Sequence, residues 1–269
     1  MTTSPGTLDP STRAPSTGPA PDRAWHDLHA QACEPYREGG RFAYHFARGK
    51  LGRDPVFRGL LERGDLPPRA RIVDIGCGQG LIASLCWAID AAVPRGEWPA
   101  SWPPAPVGCT YTGIELMPRD VARAQGAAAR RADGSTFVCG DMRTTPLPAC
   151  DVVVILDVMH YVDHAAQEAV LAKVRDALQP RGRLLIRIGD QSSARGFAAS
   201  QWVDRVVTMI RGHRVPPTFG RPLAGWIALL ERLGFTVAPV PMSRGTPFAN
   251  VLLEAQLAPV PDAVPGARP

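Results

Sequence analysis

The stretch Arg71-Ile-Val-Asp-Ile-Gly-Cys-Gly-Gln-Gly80 decides the fold that the sequence predicts. Its first five residues form a short apolar strand, and the apolar residues Leu81 to Ala92 that follow the stretch predict a helix. Three glycines at alternate positions let the backbone bend sharply and approach a ligand closely, where any Cβ would collide. The N-terminus of the helix offers N–H groups and a partial positive charge to an anionic group.

The spacing of these glycines indicates the kind of ligand. A dinucleotide-binding turn, G-x-G-x-x-G, needs a glycine where this chain has Leu81. A phosphate-binding loop needs a lysine followed by serine or threonine, which the sequence does not have at these positions. The turn therefore suits a small ligand that carries a carboxylate and an amine better than it suits a pyrophosphate.

Outward from this turn, short apolar strands alternate with helices of about 10–15 residues, which is typical of βαβ units and a parallel sheet covered on both faces. Two C-terminal strands close the sheet as an antiparallel edge. The sequence thus predicts an α/β fold with a doubly wound, mostly parallel, seven-stranded Rossmann-like sheet and an antiparallel C-terminal strand. The further predicted strands are 111–115, 136–139, 151–156, 183–188, 235–238 and 250–254, and the further predicted helices are 119–131, 167–178, 197–211 and 223–233.

The chain divides into four segments. Residues 1–23 are rich in Pro, Ser, Thr and Gly and predict a disordered tail, and residues 259–269 predict a second tail. Residues 24–65 predict a cap of short helices. Residues 66–258 form the sheet domain, which carries a Trp- and Pro-rich insertion at 94–106.

Composition limits the classes of function. The 269 residues carry a net charge of +5, but the cations are two lysines and 28 scattered arginines, which gives little reason to expect a nucleic-acid partner. Apolar runs are shorter than the roughly 18 residues of a membrane-spanning helix. The N-terminus does not have the pattern of a secretory signal, so we expect a cytoplasmic protein without membrane contact. Six cysteines without a CxxC pair or a histidine at metal spacing predict reduced thiols and no metal.

Five motifs in register resemble those of the class I S-adenosylmethionine-dependent methyltransferases. The first is the acidic residue and glycine turn of Asp74 to Gly80, and the next two are acidic residues after the second and third strands, Glu115 and Asp141. Leu156-Asp-Val-Met-His-Tyr161 resembles the segment that follows the fourth strand in this family. Pro180 to Leu185 resembles the loop that leads into the fifth strand.

The resemblance covers about residues 66–257 and implies S-adenosylmethionine (SAM) as cofactor, with S-adenosylhomocysteine as product. At the adenosine end it implies that Glu115 accepts both ribose hydroxyls. It also implies that Asp141 accepts from the adenine amino group and that the Met142 N–H donates to a ring nitrogen. All of these groups follow strands at their carboxyl ends, where open α/β sheets bind ligands.

At the methionine end, the resemblance implies that Asp74, directly or through water, and the Leu156 carbonyl accept from the ammonium group. Asp157 contacts that amine or caps the next helix. One departure is that Glu115 follows Asp74 by 41 residues, against about 20 in dinucleotide folds; the insertion at 94–106 accounts for the excess. The implied cofactor residues are Asp74, Gly76, Cys77, Gly78, Gly80, Glu115, Leu116, Asp141, Met142, Leu156 and Asp157.

The segment after the fourth strand also bears on the methylated atom. Amino-methyltransferases of bases resemble one another in an Asn/Asp-Pro-Pro-Tyr/Phe motif there, and this chain has Leu156-Asp-Val-Met159 instead. His160 is the candidate catalytic base, because an imidazole titrates near neutral pH and can accept a hydroxyl proton. The alternative is a histidine that packs beneath the substrate or caps the next helix. Cys150 precedes the strand and is expected to be a buried apolar side chain.

Candidate substrate residues come from the cap, the loop after the fourth strand and the helix after the fifth. Arginines there could hold a carboxylate or a phosphate in a bidentate grip, and the alternative is a solvated helix face. Residues 41–55 also resemble methyltransferases of bacterial aryl polyene pathways. The candidates are Tyr44, Arg48, Tyr161, Trp202 and Arg205.

The predicted function is methyl transfer to a small acidic or aromatic metabolite, free or tethered to an acyl carrier protein, in bacterial secondary metabolism. The alternatives are an RNA or protein acceptor, or a non-catalytic SAM-binding partner subunit. The intact set of Asp74, Glu115 and Asp141 counts against a degenerate cofactor site. The acceptor atom and the oligomeric state stay open.

Overall fold

The computed structural model describes residues 18–189, 218–242 and 250–258. Three helices form the N-terminal cap: α1 (Pro21–Cys33), α2 (Arg41–Arg53) and α3 (Pro55–Arg63). The sheet domain follows with β1 (Arg71–Ile75), α4 (Leu81–Ala92), β2 (Thr110–Glu115), α5 (Pro118–Arg131), β3 (Thr136–Cys139), β4 (Cys150–Leu156), α6 (His164–Ala177), β5 (Leu178–Gly189), α7 (Leu223–Arg232), β6 (Phe235–Pro241) and β7 (Asn250–Leu257).

Within these ranges the strands form one seven-stranded sheet in the order β3-β2-β1-β4-β5-β7-β6. The strands β1 to β5 run parallel to one another, and β7 is antiparallel to both β5 and β6. The predicted doubly wound α/β fold with an antiparallel C-terminal strand is confirmed. The strand order reverses between β1 and β4, and open α/β sheets bind ligands at such a switch point, beyond the carboxyl ends of the strands.

Helices cover both faces of the sheet. One apolar core joins the cap, α4 and α5 to one face through residues such as Leu51 and Leu85. A second core joins α6 and α7 to the other face through Leu171 and Trp226. Residues 152–155 of β4 are fully buried between the two, as a continuous apolar run predicts for a central parallel strand. None of the described helices is long and apolar enough to cross a membrane.

The cap begins earlier than the sequence predicts. Since α1 starts at Pro21, the prediction of a tail through residue 23 is wrong for its last three residues. Proline is favoured at the first helical position, and Asp22 adds a negative charge in the first turn and pairs with Arg58 of α3 at 2.8 Å. Residues 1–17 and 259–269 lie outside the described residues.

The elements α6 and β5 also begin earlier than predicted. The side chain of Asp163 caps α6 by accepting from the Ala166 N–H at 2.8 Å, so the helix starts at His164 instead of residue 167. The strand β5 starts at Leu178 instead of residue 183, and Leu178 pairs with Cys150 before an irregularity in the register. The predicted helix at 197–211 lies outside the described residues.

The insertion at 94–106 connects the end of α4 to the start of β2, so it lies at the edge of the sheet opposite to the carboxyl ends. Trp98 and Trp102 pack edge to face there, with ring centroids 5.1 Å apart. The indole N–H of Trp98 donates to the Pro103 carbonyl at 2.9 Å. These aromatic residues therefore stabilise the amino-terminal edge, away from the switch point.

Candidate active site

The glycine turn connects β1 to α4 at the switch point of the sheet. Gly76 has a φ of +77°, and a Cβ there would lie 2.5 Å from the Val158 side chain, so glycine allows the loop after β4 to approach. Gly78 has a φ of +54°, and the place of its Cβ is open space. A ligand can therefore approach the backbone at Gly78, as the glycine spacing predicts.

Glu115, the last residue of β2, is hydrogen-bonded to this turn. Its Oε2 accepts from the Gly78 N–H at 2.9 Å, and its Oε1 accepts from the Met117 N–H at 2.8 Å. Each oxygen has a second lone pair, so the carboxylate is held in place and can still accept from a pair of hydroxyls. The next side chain, Leu116, is 61% exposed and presents an apolar surface at the same edge.

Asp74 lies in β1 beneath the turn and is only 4% exposed. Its Oδ2 accepts from the Tyr111 hydroxyl at 2.5 Å. Burial raises the pKa of Asp74 to about 7; the hydrogen bond from Tyr111 opposes this shift, and the charge of Glu115 adds to it. Asp74 is therefore an acceptor shared with Tyr111, and its charge depends on pH near neutrality.

After β3, the carboxylate of Asp141 is paired with Arg143. The guanidinium donates through Nε to Oδ1 at 3.0 Å and through Nη2 to Oδ2 at 2.5 Å, and the Arg143 N–H donates to Oδ1 at 2.8 Å. These bonds hold the pKa of Asp141 below its usual range. The ammonium of Lys173, in α6, donates to the Met142 carbonyl at 2.6 Å. This bond holds the segment that follows β3 in place.

A cluster of four charged side chains joins the end of β4 to the cap. Arg187 of β5, which is 2% exposed, donates to the carboxylate of Asp157 through Nε at 2.8 Å. It also donates to both oxygens of Asp54, at 2.5 and 2.7 Å. Lys50 of α2 contacts Asp54 at 2.8 Å and Asp157 at 3.4 Å. Two cations thus balance two carboxylates, and α2 is tied to the loop after β4.

The charges in this cluster stabilise one another despite their burial. Burial alone would raise the pKa of Asp157, but Arg187 and Lys50 hold it well below its usual range. The same carboxylates raise the pKa of Arg187 above its usual value. Asp157 also has a φ of +61°, which is uncommon for a residue with a side chain. The carboxylate of Asp157 thus pairs with Arg187 and Lys50. The residue that caps the next helix, α6, is Asp163.

Sequence reasoning missed Arg187 and Asp54 as members of the site. A signal for Arg187 existed, because it stands inside the apolar run of β5, and a buried charge requires a partner. The sequence offered no comparable signal for the partner, since Asp54 lies 133 residues earlier in the chain.

His160 and Tyr161 lie in a single turn of 3₁₀ helix, Met159–Tyr161, after β4. Their ring centroids are 4.1 Å apart, and the His160 carbonyl accepts from the Phe219 N–H at 2.8 Å. The buried side chain of Gln167, from α6, fixes the turn, because its Nε2 donates to the Met159 carbonyl at 3.1 Å and to the Phe219 carbonyl at 2.7 Å. The candidate base therefore stands on a well-anchored turn at the carboxyl edge of the sheet.

The structure places Tyr44 and Arg48 in contact with other residues of the cap. Arg48 donates to the Tyr44 hydroxyl at 3.1 Å, and the Arg37 guanidinium lies 4.5 Å from the centre of the Tyr44 ring. Within α2, Lys50 forms an ion pair with Asp157 in the loop after β4. Two further candidate substrate residues lie outside the described residues, Trp202 and Arg205.

Comparison with known proteins gives a family match and a partial relative. Residues 45–240 match the methyltransferase domain family. The tetracenomycin polyketide synthesis 8-O-methyl transferase TcmO of Streptomyces glaucescens is 28% identical over 107 residues. That alignment spans 39% of this chain and 30% of TcmO, so the similarity concerns less than a third of that protein.

Solved structures share the fold. Magnesium protoporphyrin IX methyltransferase ChlM from Synechocystis, with bound SAM, has a TM-score of 0.53 at 16% identity, over 88% of this chain and 97% of that chain. PigF with S-adenosylhomocysteine has a TM-score of 0.56 at 18% identity, over 87% of this chain and 62% of that chain. At these identities the likeness concerns the fold alone.

A doubly wound sheet with an open glycine turn and two carboxylates at its carboxyl edge has the arrangement at which open α/β sheets bind small ligands. The family match makes the class more specific: the chain belongs to the methyltransferase domain family and is a class I SAM-dependent methyltransferase. The predicted family, enzyme class and cofactor are confirmed. The open backbone at Gly78 and the paired acceptors of Glu115 fit the cofactor.

Proposed function

We propose that this methyltransferase acts on a small aromatic or acidic metabolite, free or bound to an acyl carrier protein, and that His160 removes a proton from the acceptor. The observation that carries the proposal is the packing of Val158 against Gly76, where a Cβ would lie 2.5 Å from the valine side chain. This contact brings the loop after β4, which continues into the turn of His160 and Tyr161, against the glycine turn. A cytoplasmic location and a role in secondary metabolism stay predictions.

Bound SAM supplies an electrophilic methyl carbon on a sulfonium. In this proposal the N-terminus of α4 and the backbone at Gly78 face its carboxylate, and Asp74 and the Leu156 carbonyl accept from its ammonium. Glu115 accepts from the ribose hydroxyls and Asp141 from the adenine amino group. These groups lie at the carboxyl ends of β1 to β4, where the sheet changes direction.

Methyl transfer from a sulfonium is an in-line displacement, so the protein mainly aligns the acceptor atom and excludes water. With a hydroxyl acceptor, the His160 imidazole would take the proton, and bound SAM would supply the methyl group. The Tyr161 ring, 4.1 Å from that of His160 between centroids, offers an aromatic surface beside it. TcmO is named for 8-O-methyl transfer in polyketide synthesis, which supports a hydroxyl of a polyketide-like metabolite as acceptor.

Charge pairing favours a metabolite over RNA. Several exposed arginines of the described residues are paired with neighbouring carboxylates, as in Arg71 with Asp151 at 2.8 Å and Arg95 with Glu97 at 2.6 Å. RNA affinity depends on basic side chains that neutralise phosphates, and arginines already paired with carboxylates contribute less to it.

The test is transfer of a labelled methyl group from SAM into a bacterial extract that is separated into small-molecule, protein and RNA pools. We expect label in the small-molecule pool, or in a protein-pool fraction that hydroxylamine releases from a carrier thioester. His160→Ala should reduce it strongly, whereas His26→Ala, at an exposed histidine of α1, should not. Label in RNA, or in protein that resists hydroxylamine, would overturn the metabolite acceptor. Cofactor binding without any labelled pool would support the non-catalytic subunit.

A further inference from the structure

Two buried polar side chains connect the cap to the cofactor turn. Tyr36 ends the 3₁₀ turn Glu34–Tyr36, is 1% exposed, and donates its hydroxyl to the carbonyl oxygens of Gln79 at 2.8 Å and Gly80 at 3.0 Å. Gln79, which is 2% exposed, donates its Nε2 to the Ala43 carbonyl in α2 at 2.8 Å. The cap and the turn therefore hold each other through contacts between distant parts of the chain.

These contacts fix the orientation of the two peptide units that connect the glycine turn to α4. In a planar trans peptide the C=O and N–H point in opposite directions, so an anchored carbonyl also fixes the N–H of the same unit. The Gln79 carbonyl shares its unit with the Gly80 N–H, which donates to the Cys77 carbonyl at 3.0 Å and closes the turn. The Gly80 carbonyl shares its unit with the N–H of Leu81, the first residue of α4. The first N–H groups of a helix are those that have no partner within it.

We propose that Tyr36 is a positioning residue of the cofactor site, because it orients the N-terminus of α4 toward the carboxylate at the amino-acid end of the cofactor. This inference rests on the proposed placement of the cofactor at the turn of Gly76 to Gly80. Burial raises the pKa of Tyr36 to about 12, so at neutral pH the hydroxyl keeps the proton that it donates.

Two ligands separate positioning from general destabilisation. S-adenosylhomocysteine carries the amino-acid end, 5′-methylthioadenosine lacks it, and both contain the adenosine part. For Tyr36→Phe we expect about 3- to 10-fold weaker binding of S-adenosylhomocysteine, as for the loss of one hydrogen bond, with binding of methylthioadenosine unchanged within about twofold. Isothermal titration calorimetry measures both affinities.

The control is Gln31→Met, which removes another polar side chain of the cap, one that accepts from Arg95 at 3.1 Å, and which should change neither affinity. If Tyr36→Phe does not fold, Gln79→Met tests the same connection, because it removes the bond to Ala43 and keeps a side chain of similar size. The same selective loss is expected. An equal loss for both ligands, or an unchanged affinity for S-adenosylhomocysteine, would overturn the inference. Wild-type protein that binds neither ligand would contradict the proposed cofactor site itself, and the inference with it.

Discussion

Glu115 accepts a hydrogen bond from the backbone N–H of Gly78 at 2.9 Å, so a single carboxylate joins the end of β2 to the glycine turn after β1. Its other oxygen accepts from the Met117 N–H at 2.8 Å. Glu115 therefore has two tasks, since it organises the backbone of the site and offers acceptors to the ribose. Substitutions at this residue should reveal both.

Glu115→Ala should weaken SAM binding by about 2–4 kcal/mol, because it removes a charged acceptor and leaves backbone donors without a partner. Glu115→Gln should also weaken it, because an amide has one oxygen and turns an N–H toward one of the two backbone donors. Titration calorimetry measures the affinities. Glu97→Gln, at an exposed glutamate in the insertion, is the control. An affinity of Glu115→Ala within about twofold of wild type, or about 0.4 kcal/mol, would contradict the assignment.

Asp74 should make the protein less stable as pH rises. Its pKa of about 7 in the folded state exceeds the usual value of 3.8, so between these values the folded state keeps a proton that the unfolded state has released. The unfolding free energy from this group then decreases with rising pH, by at most about 1.4 kcal/mol per pH unit.

Asp74→Asn isolates this effect, because it keeps an oxygen for the Tyr111 hydroxyl and does not titrate. It also separates Asp74 from Asp65, whose pKa burial raises to about 6. In urea unfolding near pH 5 and near pH 8, wild type should lose stability relative to the variant at the higher pH. A difference between the two proteins that does not change with pH would show that Asp74 titrates normally.

Arg187 should be the most costly residue of the charged cluster to remove. Arg187→Met should lower the unfolding free energy by about 3–5 kcal/mol, because the carboxylates of Asp54 and Asp157 lose their buried partner. Lys50→Met should cost less, since the Lys50 side chain is 35% exposed. Adding Asp157→Asn to Arg187→Met should recover part of the loss. Urea unfolding of the three variants checks this, and a loss for Arg187→Met below about 1 kcal/mol would show that the cluster is dispensable.

Cys139 should report on cofactor binding. It is an exposed cysteine at the end of β3, with its Sγ 3.8 Å from the Leu116 carbonyl, beside the proposed adenine site. Alkylation should reach it before Cys33, Cys77 and Cys150, because these thiols are buried, burial raises their pKa, and the thiolate is the reactive form. S-adenosylhomocysteine should slow the reaction at Cys139, as followed by peptide mass spectrometry. An unchanged rate would place the adenosine elsewhere.

The fold could be predicted because its signals are local. The strand at 71–75, the glycine turn and the apolar run at 152–155 each carry their own pattern, and βαβ units have a fixed handedness that orders them. The roles of Glu115 and Asp141 came from the resemblance to the methyltransferase family, and the sheet supports them, because the carboxyl ends of parallel strands meet at one edge.

The contacts that hold the site could not be predicted, because they join distant residues. Arg187 meets Asp54 across 133 positions, and Tyr36 meets Gln79 across 43 positions. A sequence shows that a charge or a hydroxyl is present, but its partner depends on how the cap packs against the sheet. By contrast, the start of α6 at His164 has a local signal in the sequence, because aspartate, here Asp163, is a favoured N-cap residue.

His160 gives the sharpest test of the proposed chemistry. If its imidazole removes the acceptor proton, His160→Ala should lower the methyl-transfer rate by about 10²–10⁴-fold and leave SAM affinity nearly unchanged. His160→Gln should fail as well, because an amide cannot take a proton.

A histidine that only shapes the pocket beside Tyr161 predicts a different result. His160→Gln would then restore much of the activity. An acceptor whose nucleophile is already ionised, such as a carboxylate, needs no base, and His160→Ala would then raise KM for the acceptor without a large change in kcat. Measurements of kcat, of KM for the acceptor and of SAM affinity for wild type, both variants and the His26→Ala control distinguish these cases. A His160→Gln enzyme with nearly wild-type rates would remove the base role.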